Sequence, residues 1–204
     1  MRRTAAAVLA FVLAAGISGC GGRSAGREGF APTENSVYIS GDGTVSSAFV
    51  ESYDKDYYTE ESLKSFLEET IADQYQDVSV TLKECSVENG VMKAVFDYGS
   101  PADLVDFLAD QKSEDLDITG LEIRTVEEGL TDGTVSDGVF VNASDGEPAD
   151  FQALARQSDG YLVTVEGTAA VQAAGEILYV SDGVEVTDGT ARVAGGPAYL
   201  IIAK

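Results

Sequence analysis

From residue 36 onward, apolar positions follow two periods, one typical of strands and one typical of helices. Alternating apolar residues on both sides of the turn at 41–43 predict a β-hairpin. The next apolar stripe has the helical period. Thr59 is placed to cap that helix, and Tyr58 and Leu63 have the spacing of a hydrophobic staple. We expect the helix to pack on the core through Leu63, Phe66, Leu67, Thr70, Ile71 and either Gln74 or Tyr75.

A second hairpin is predicted over residues 78–98. Its apolar parity shifts before Cys85, which indicates a β-bulge. The dipeptide Asn89-Gly90 is the strongest hairpin-turn signal in the chain, and it places Cys85 opposite Ala94 and Val87 opposite Met92. Ser100 then caps a short helix that begins at Pro101. Residues 36–111 therefore predict the order ββα-ββα.

The rest of the chain predicts mostly short strands. Residues 121–126 and 135–141 have strand patterns, and residues 151–156 suit a helical turn. From Tyr161 to the end, apolar runs are separated by Asp-Gly and Gly-Gly turns. The predicted class is α+β: two β-hairpin/helix units (ββα-ββα) over residues 36–128, followed by a β-rich C-terminal part over residues 129–204. The latter part is either continuous with the preceding domain or a small unit of its own.

The N-terminal segment predicts export and lipid attachment. Arg2 and Arg3 precede an apolar run at residues 5–15 that is too short to span a bilayer. Small residues then lead to Cys20 in the order Ile17-Ser18-Gly19-Cys20, which is the pattern of a lipoprotein signal. We expect residues 1–19 to be a signal peptide, Cys20 to be lipidated and residues 20–35 to form a flexible tether. The alternative is a secretory signal without lipidation that happens to contain a cysteine.

The composition excludes several classes of function. Lys and Arg number 13 against 35 Asp and Glu, so the formal net charge is −22, and removal of Arg2 and Arg3 with the signal lowers it to −24. Such a domain should not bind nucleic acid, and its charge indicates either solubility or a cationic partner. The chain has no His, which excludes His-dependent catalysis and the commonest zinc ligand. Its sequence motifs predict no cofactor.

Residues 52–61 are the best candidate for a binding surface. Tyr53, Tyr57 and Tyr58 lie there among acidic residues, and exposed aromatic side chains often mark recognition sites. The alternative is a plain hairpin-to-helix connection in which one or two tyrosines pack as staples. Cys85, which has no intrachain cysteine partner if Cys20 is lipidated, is interpreted as a small buried hydrophobic residue.

Two kinds of acidic site are also considered. Asp-Gly pairs suit calcium-binding loops or simply tight turns, and their spacing does not match an EF-hand. They begin at Asp42, Asp132, Asp137, Asp145, Asp159, Asp182 and Asp188. The abundant carboxylates also leave open a carboxylate-dependent envelope hydrolase, although no pair stands out.

Two stretches, residues 48–69 (AFVESYDKDYYTEESLKSFLEE) and residues 177–204 (ILYVSDGVEVTDGTARVAGGPAYLIIAK), resemble small acidic lipoproteins of anaerobic Gram-positive bacteria of the clostridial type. The resemblance implies a compartment and no catalytic residues. The sequence therefore predicts a domain held on the extracytoplasmic face of the cell membrane through Cys20, with an envelope protein or polymer as its partner. A non-enzymatic binding or scaffold role is favoured over the hydrolase and over a calcium- or wall-polymer-binding module.

Overall fold

The computed structural model describes residues 30–53 and 59–204, which form a mixed α/β fold around one large sheet. This confirms the predicted class at the level of α+β. The strands are Ser36–Ile39 (β1), Val45–Ser52 (β2), Val80–Glu88 (β3), Val91–Tyr98 (β4), Asp117–Thr125 (β5), Phe140–Asn142 (β6), Tyr161–Ala173 (β7), Ile177–Ser181 (β8), Glu185–Thr187 (β9) and Thr190–Ile202 (β10). The helices are Glu60–Gln74 (α1), Pro101–Leu108 (α2), Val126–Asp132 (α3) and Phe151–Ala155 (α4).

The long antiparallel pair β7 and β10 joins the two halves of the sheet. The sheet has ten strands in the order β3-β4-β2-β1-β7-β10-β8-β6, while β5 pairs with β7 and β9 pairs with β10. Strands from both predicted parts of the chain therefore lie in one sheet, because β1 pairs in parallel with the end of β7.

The largest hydrophobic cluster lies on one face of this sheet. It contains Phe49 and Phe96 from the first half and Val163 and Leu200 from the second, and α2 packs into it through Phe107. On the opposite face, a second cluster lies under α3 and α4, and a small third cluster lies over β1 and β2. The members of the third cluster are Phe30, Tyr38, Ala48 and Val95, with Val50 packed against it.

The local predictions for the first two helices hold. The Thr59 side chain accepts a hydrogen bond from the Ser62 amide at the start of α1, and the Ser100 side chain caps α2 with Pro101 in its first turn. Tyr58, one member of the predicted staple, lies outside the described residues. The predicted apolar stripe of α1 is wrong at Phe66, which is exposed, whereas Leu67 and Tyr75 are buried. The reason is that α1 packs mainly on the edge strand β3, so only a narrow line of the helix is covered.

The second hairpin has the predicted register. Cys85 lies opposite Ala94, Val87 lies opposite Met92, and the register shifts between Leu82 and Glu84 as a bulge requires. Each residue of the Asn89-Gly90 turn has a positive φ, which is the backbone geometry of a two-residue type I′ turn.

The later elements differ from their predictions in length and number. Of residues 135–141, only the last two lie in a strand, because β6 runs from Phe140 to Asn142. The apolar runs on the two sides of the predicted Gly195-Gly196 turn belong to one strand, β10, which continues through a register shift between Ala194 and Pro197. Helix α3 was not predicted, although Thr125 and Glu128 form a capping box, whose sequence signature is visible in the chain. Among the described residues, no helix is long and apolar enough to span a membrane.

Candidate functional site

The end of β2 carries the described part of the predicted tyrosine surface. The amide of Tyr53 donates a hydrogen bond to the carbonyl of Gly90, 2.7 Å away, so this residue lies beside the turn between β3 and β4. Its side chain is partly buried. Tyr57 and Tyr58 lie outside the described residues, and the joint tyrosine surface remains a prediction.

The carboxyl group of Glu51, two residues before Tyr53, has a pKa that is shifted by burial. In the register of β2 and β4 it lies opposite Met92, which is buried. Strand alternation places Glu51 on the same face as Phe49, a member of the main core. Burial raises the pKa of the Glu51 carboxyl to about 7. A carboxyl group that titrates near neutrality on the apolar face of a sheet is a candidate functional group.

Cys85 lies on the neighbouring strand β3 and is a free, buried cysteine. Burial, with a smaller contribution from the carboxylate of Glu60, raises the pKa of the Cys85 thiol to about 11. The protonated thiol is a poor nucleophile. The structure therefore agrees with the interpretation of Cys85 as a small core residue.

A chemical consequence of this burial can be measured. We expect the native protein at pH 8 to react with iodoacetamide at Cys85 at least about 100-fold more slowly than the same protein in denaturant, because only the thiolate reacts. The rate is read by mass spectrometry of the peptide that contains Cys85. Rapid modification of the native protein would show that the thiol is accessible and would contradict the buried position.

A groove opens where β7 exchanges one neighbour for another. One edge of β7 pairs with β5 as far as Thr168 and with β1 from Val171 onward, while its other edge pairs with β10 throughout. The groove at this branch point has a volume of about 370 Å³, within the range of ligand sites. Its lining consists of Glu34, Asn35, Asp115, Thr168, Ala169, Ala170, Arg192, Val193 and Ala194.

The rim of the groove carries both signs of charge. The Arg192 guanidinium donates two hydrogen bonds to the carboxylate of Glu34, at 2.9 and 2.7 Å. Paired, planar contacts of this kind are among the stronger charge-assisted hydrogen bonds. Asp115 lies exposed on the rim. Ala169 and Ala170 are buried, whereas Ala194 is exposed.

The sequence did not predict this groove. Its residues come from four separate places in the chain, and pairing between distant strands brings them together. Short side chains such as those of Ala169, Ala170 and Ala194 carry no chemical signal in a sequence. By contrast, Glu51 was detectable in principle, because it continues the core-facing positions of β2 with a charged residue.

The Asp-Gly pairs act as turns. Gly43, Gly183 and Gly189 have positive φ values, which tight turns require. The Asp42 carboxylate accepts a hydrogen bond from the Thr44 amide at 3.1 Å, and Asp132 does the same for Thr134. In the described parts of the chain, no three side chains of the metal-ligating types converge as a metal site requires.

Cys20, the predicted lipidation site, lies outside the described residues, so its role remains a prediction. No protein-family model matches the chain, and neither does any curated protein or solved structure.

Proposed function

We propose that this chain is a lipoprotein anchored through Cys20 on the extracytoplasmic face of the cell membrane, and that its domain binds an envelope protein or polymer. The anchoring half of the proposal rests on the order Ile17-Ser18-Gly19-Cys20 behind a short apolar run. The resemblance to acidic clostridial-type lipoproteins supports the same compartment.

The observation that carries the binding half is the groove at the branch point of β7. Its lining includes the short side chain of the exposed Ala194, and its guanidinium is already paired with Glu34. Such a surface suits an extended chain that contacts backbone and short side chains. Because the domain is strongly acidic, a partner with neutral or cationic groups at the contact is favoured.

The anchor is tested by matched removal of each cysteine. We expect Cys20→Ala to move nearly all of the protein from the membrane fraction to the soluble fraction, because the attachment site for the acyl chains is lost. Cys85→Ala, the control, should remain in the membrane fraction. Fractionation with immunoblotting measures both variants. Membrane retention of Cys20→Ala would contradict the anchor.

The groove is tested by filling it. In pull-downs of the lipidated protein from native membranes, we expect Ala194→Arg to reduce recovery of the bound partner at least about tenfold, the effect of losing about 1.4 kcal/mol. Ala72→Arg on the exposed side of α1 adds the same charge at a distance and should leave recovery unchanged. Equal recovery with both variants would place the binding surface elsewhere.

Glu51 favours a second candidate, the carboxylate-dependent envelope hydrolase. A carboxyl group with a pKa of about 7 could donate a proton to a leaving group at neutral pH. Release of soluble fragments from purified cell wall, lost on Glu51→Gln, would favour this candidate over simple binding.

For the fold, we further propose that residues 36–111 are two related ββα units. The chain order of β1, β2, α1, β3, β4 and α2 supports this, as do the hydroxyl caps Thr59 and Ser100 at the start of each helix.

A further inference from the structure

We infer that residues 30–35 form a docked strap that turns one defined face of the domain toward the lipid bilayer. The inference rests on the proposed anchoring through Cys20. The strap is the part of the predicted tether that packs on the folded domain, and three separate contacts attach it.

The first contact is aromatic. The side chain of Phe30 is only 5% exposed. Its ring stacks on that of Tyr38 with centroids 4.7 Å apart and an interplanar angle of 18°. Ala48 and Val95 complete the cluster around it. Phe30 is therefore packed as a core residue, although it lies within the predicted tether.

The other two contacts are polar. The side-chain oxygen of Asn35 accepts a hydrogen bond from the Val50 amide at 2.8 Å, and Glu34 forms the double contact with Arg192. These bonds attach the strap to β2 on one side and to β10 on the other. Because the three contacts lie on different strands, together they fix the direction of the strap.

All these contacts lie on one face of the sheet, which we call the strap face. Strand registers place Tyr38, Ala170 and Arg192 on the same side, opposite to the main core. Helix α1 packs through Leu67 on the core side of the same half-sheet, so it lies on the face away from the strap.

The length of chain before the strap limits where the domain can sit. From Cys20 to Phe30 the backbone can span at most about 35 Å when fully extended. The strap face is therefore the part of the described domain closest along the chain to the acyl groups, so it is turned toward the bilayer. The groove opens on the same face, and its partner would bind between the domain and the membrane surface.

Three ion pairs lie on the strap face. Lys83 is paired with Asp97 at 3.4 Å, and Lys93 is paired with Glu84 at 3.9 Å. Arg192 is paired with Glu34. These three pairs carry no net charge, but the strand registers also place Glu88, Glu166 and Glu185 on this face. The position of the tether, and not charge attraction, therefore turns the strap face toward the bilayer.

The orientation can be measured by energy transfer from two matched probes. Ser52→Cys places a dye on the strap face, and Ser65→Cys places it on the exposed side of α1. The lipidated full chain is reconstituted in vesicles of phosphatidylcholine and phosphatidylglycerol that contain an acceptor-labelled lipid. Cys85 is buried and should not take up the dye.

We expect transfer from residue 52 to exceed transfer from residue 65 by roughly twofold, because a helix of about 10 Å diameter lies between the two positions. Phe30→Ala combined with Arg192→Glu should release the strap and make the two efficiencies equal while membrane binding is retained. Phe66→Ala, which removes an exposed phenylalanine from α1, should preserve the difference. In a chain that keeps Phe30, combining Glu34→Arg with Arg192→Glu exchanges the two charges of the ion pair. This variant should show the same difference in transfer as the native chain.

The two proposals fail in different ways. If the lipidated protein is absent from the membrane fraction, the proposed anchoring is wrong. If the protein is in the membrane and the native chain gives equal transfer from residues 52 and 65, the orienting strap is wrong. A released variant with normal circular dichroism and an unchanged difference would also overturn the strap.

Discussion

Gly167→Ala is expected to lower the free energy of unfolding by about 3 kcal/mol or more, because the substitution combines backbone strain with a steric clash. Gly167 has a φ of +114°, and a Cβ atom there would lie 2.0 Å from the carbonyl oxygen of Asp117. That oxygen belongs to the backbone of β5, so it cannot move away without breaking the pairing of β5 with β7. A φ of this size is accessible almost only to glycine.

Gly133→Ala is the matched control for this prediction. Gly133 follows α3 with a φ of +84°, and a Cβ atom there would meet nothing within 4 Å. Its replacement should cost only about 1 kcal/mol, the strain of a left-handed alanine. Urea titrations of the two variants and the native protein give the comparison. Equal losses would show that β5 does not approach β7 at Gly167 as closely as the structure indicates.

Glu51→Gln is expected to stabilise the protein above pH 7 and to leave it nearly unchanged near pH 4. Burial raises the pKa of Glu51 from 4.5 to about 7 in the folded protein. Between these values the folded state holds a proton that the unfolded state has released. The native protein therefore loses stability as the pH rises from 4.5 to about 7. Glutamine is neutral at every pH and escapes this loss.

The size of the effect follows from the two pKa values. Without screening, their difference corresponds to roughly 3 kcal/mol. Because Glu51 is half-buried, solvent screening reduces the expected gain to about 1–2 kcal/mol. Unfolding titrations across the pH range test it, with Glu69→Gln on the exposed surface of α1 as control. An equal gain for Glu51→Gln at pH 4 and pH 8 would show that charge burial is not the cause.

The effect of Glu51 on stability also bears on the function of the candidate site. If the substitution stabilises the domain above pH 7, the native chain retains a carboxylate that is unfavourable for folding. Groups of this kind are often kept for function. The position of Glu51 beside Tyr53 then makes the end of β2 the place to test for the second candidate function, the carboxylate-dependent hydrolase.

Sequence patterns predicted those parts of the fold that depend on near neighbours. The Thr59 and Ser100 caps, the Asn89-Gly90 turn and the pairing of Cys85 with Ala94 each follow from contacts within a few residues or across one tight turn. The helical pattern wrongly predicted that Phe66 packs on the core. The helical period shows which residues share a stripe, but it does not show how wide a surface covers that stripe.

The candidate site was predictable only in part. Tyr53 was predicted because its segment is rich in tyrosine and acidic residues. Glu51 could have been found because it occupies a core-facing position in the alternating pattern of β2. The groove could not, because Glu34, Thr168 and Arg192 meet only when β7 pairs with three different strands. The strap was also hidden, since Phe30 lies next to a Gly-rich and charged run that is typical of a linker.

By itself, the sequence determined the α+β class, the caps of α1 and α2, the Asn89-Gly90 turn, and the expectation of a lipid anchor at Cys20. Local hydrogen bonding and apolar periodicity are sufficient for the class, the caps and the turn, since both act over a few residues. Tertiary structure alone decided that residues 30–35 belong to the domain and that a groove opens where β7 changes partners. It also decided that the Glu51 carboxyl is half-buried. Each of these depends on packing between segments that are far apart in the chain. Local sequence patterns contain no information about the free energy of that packing.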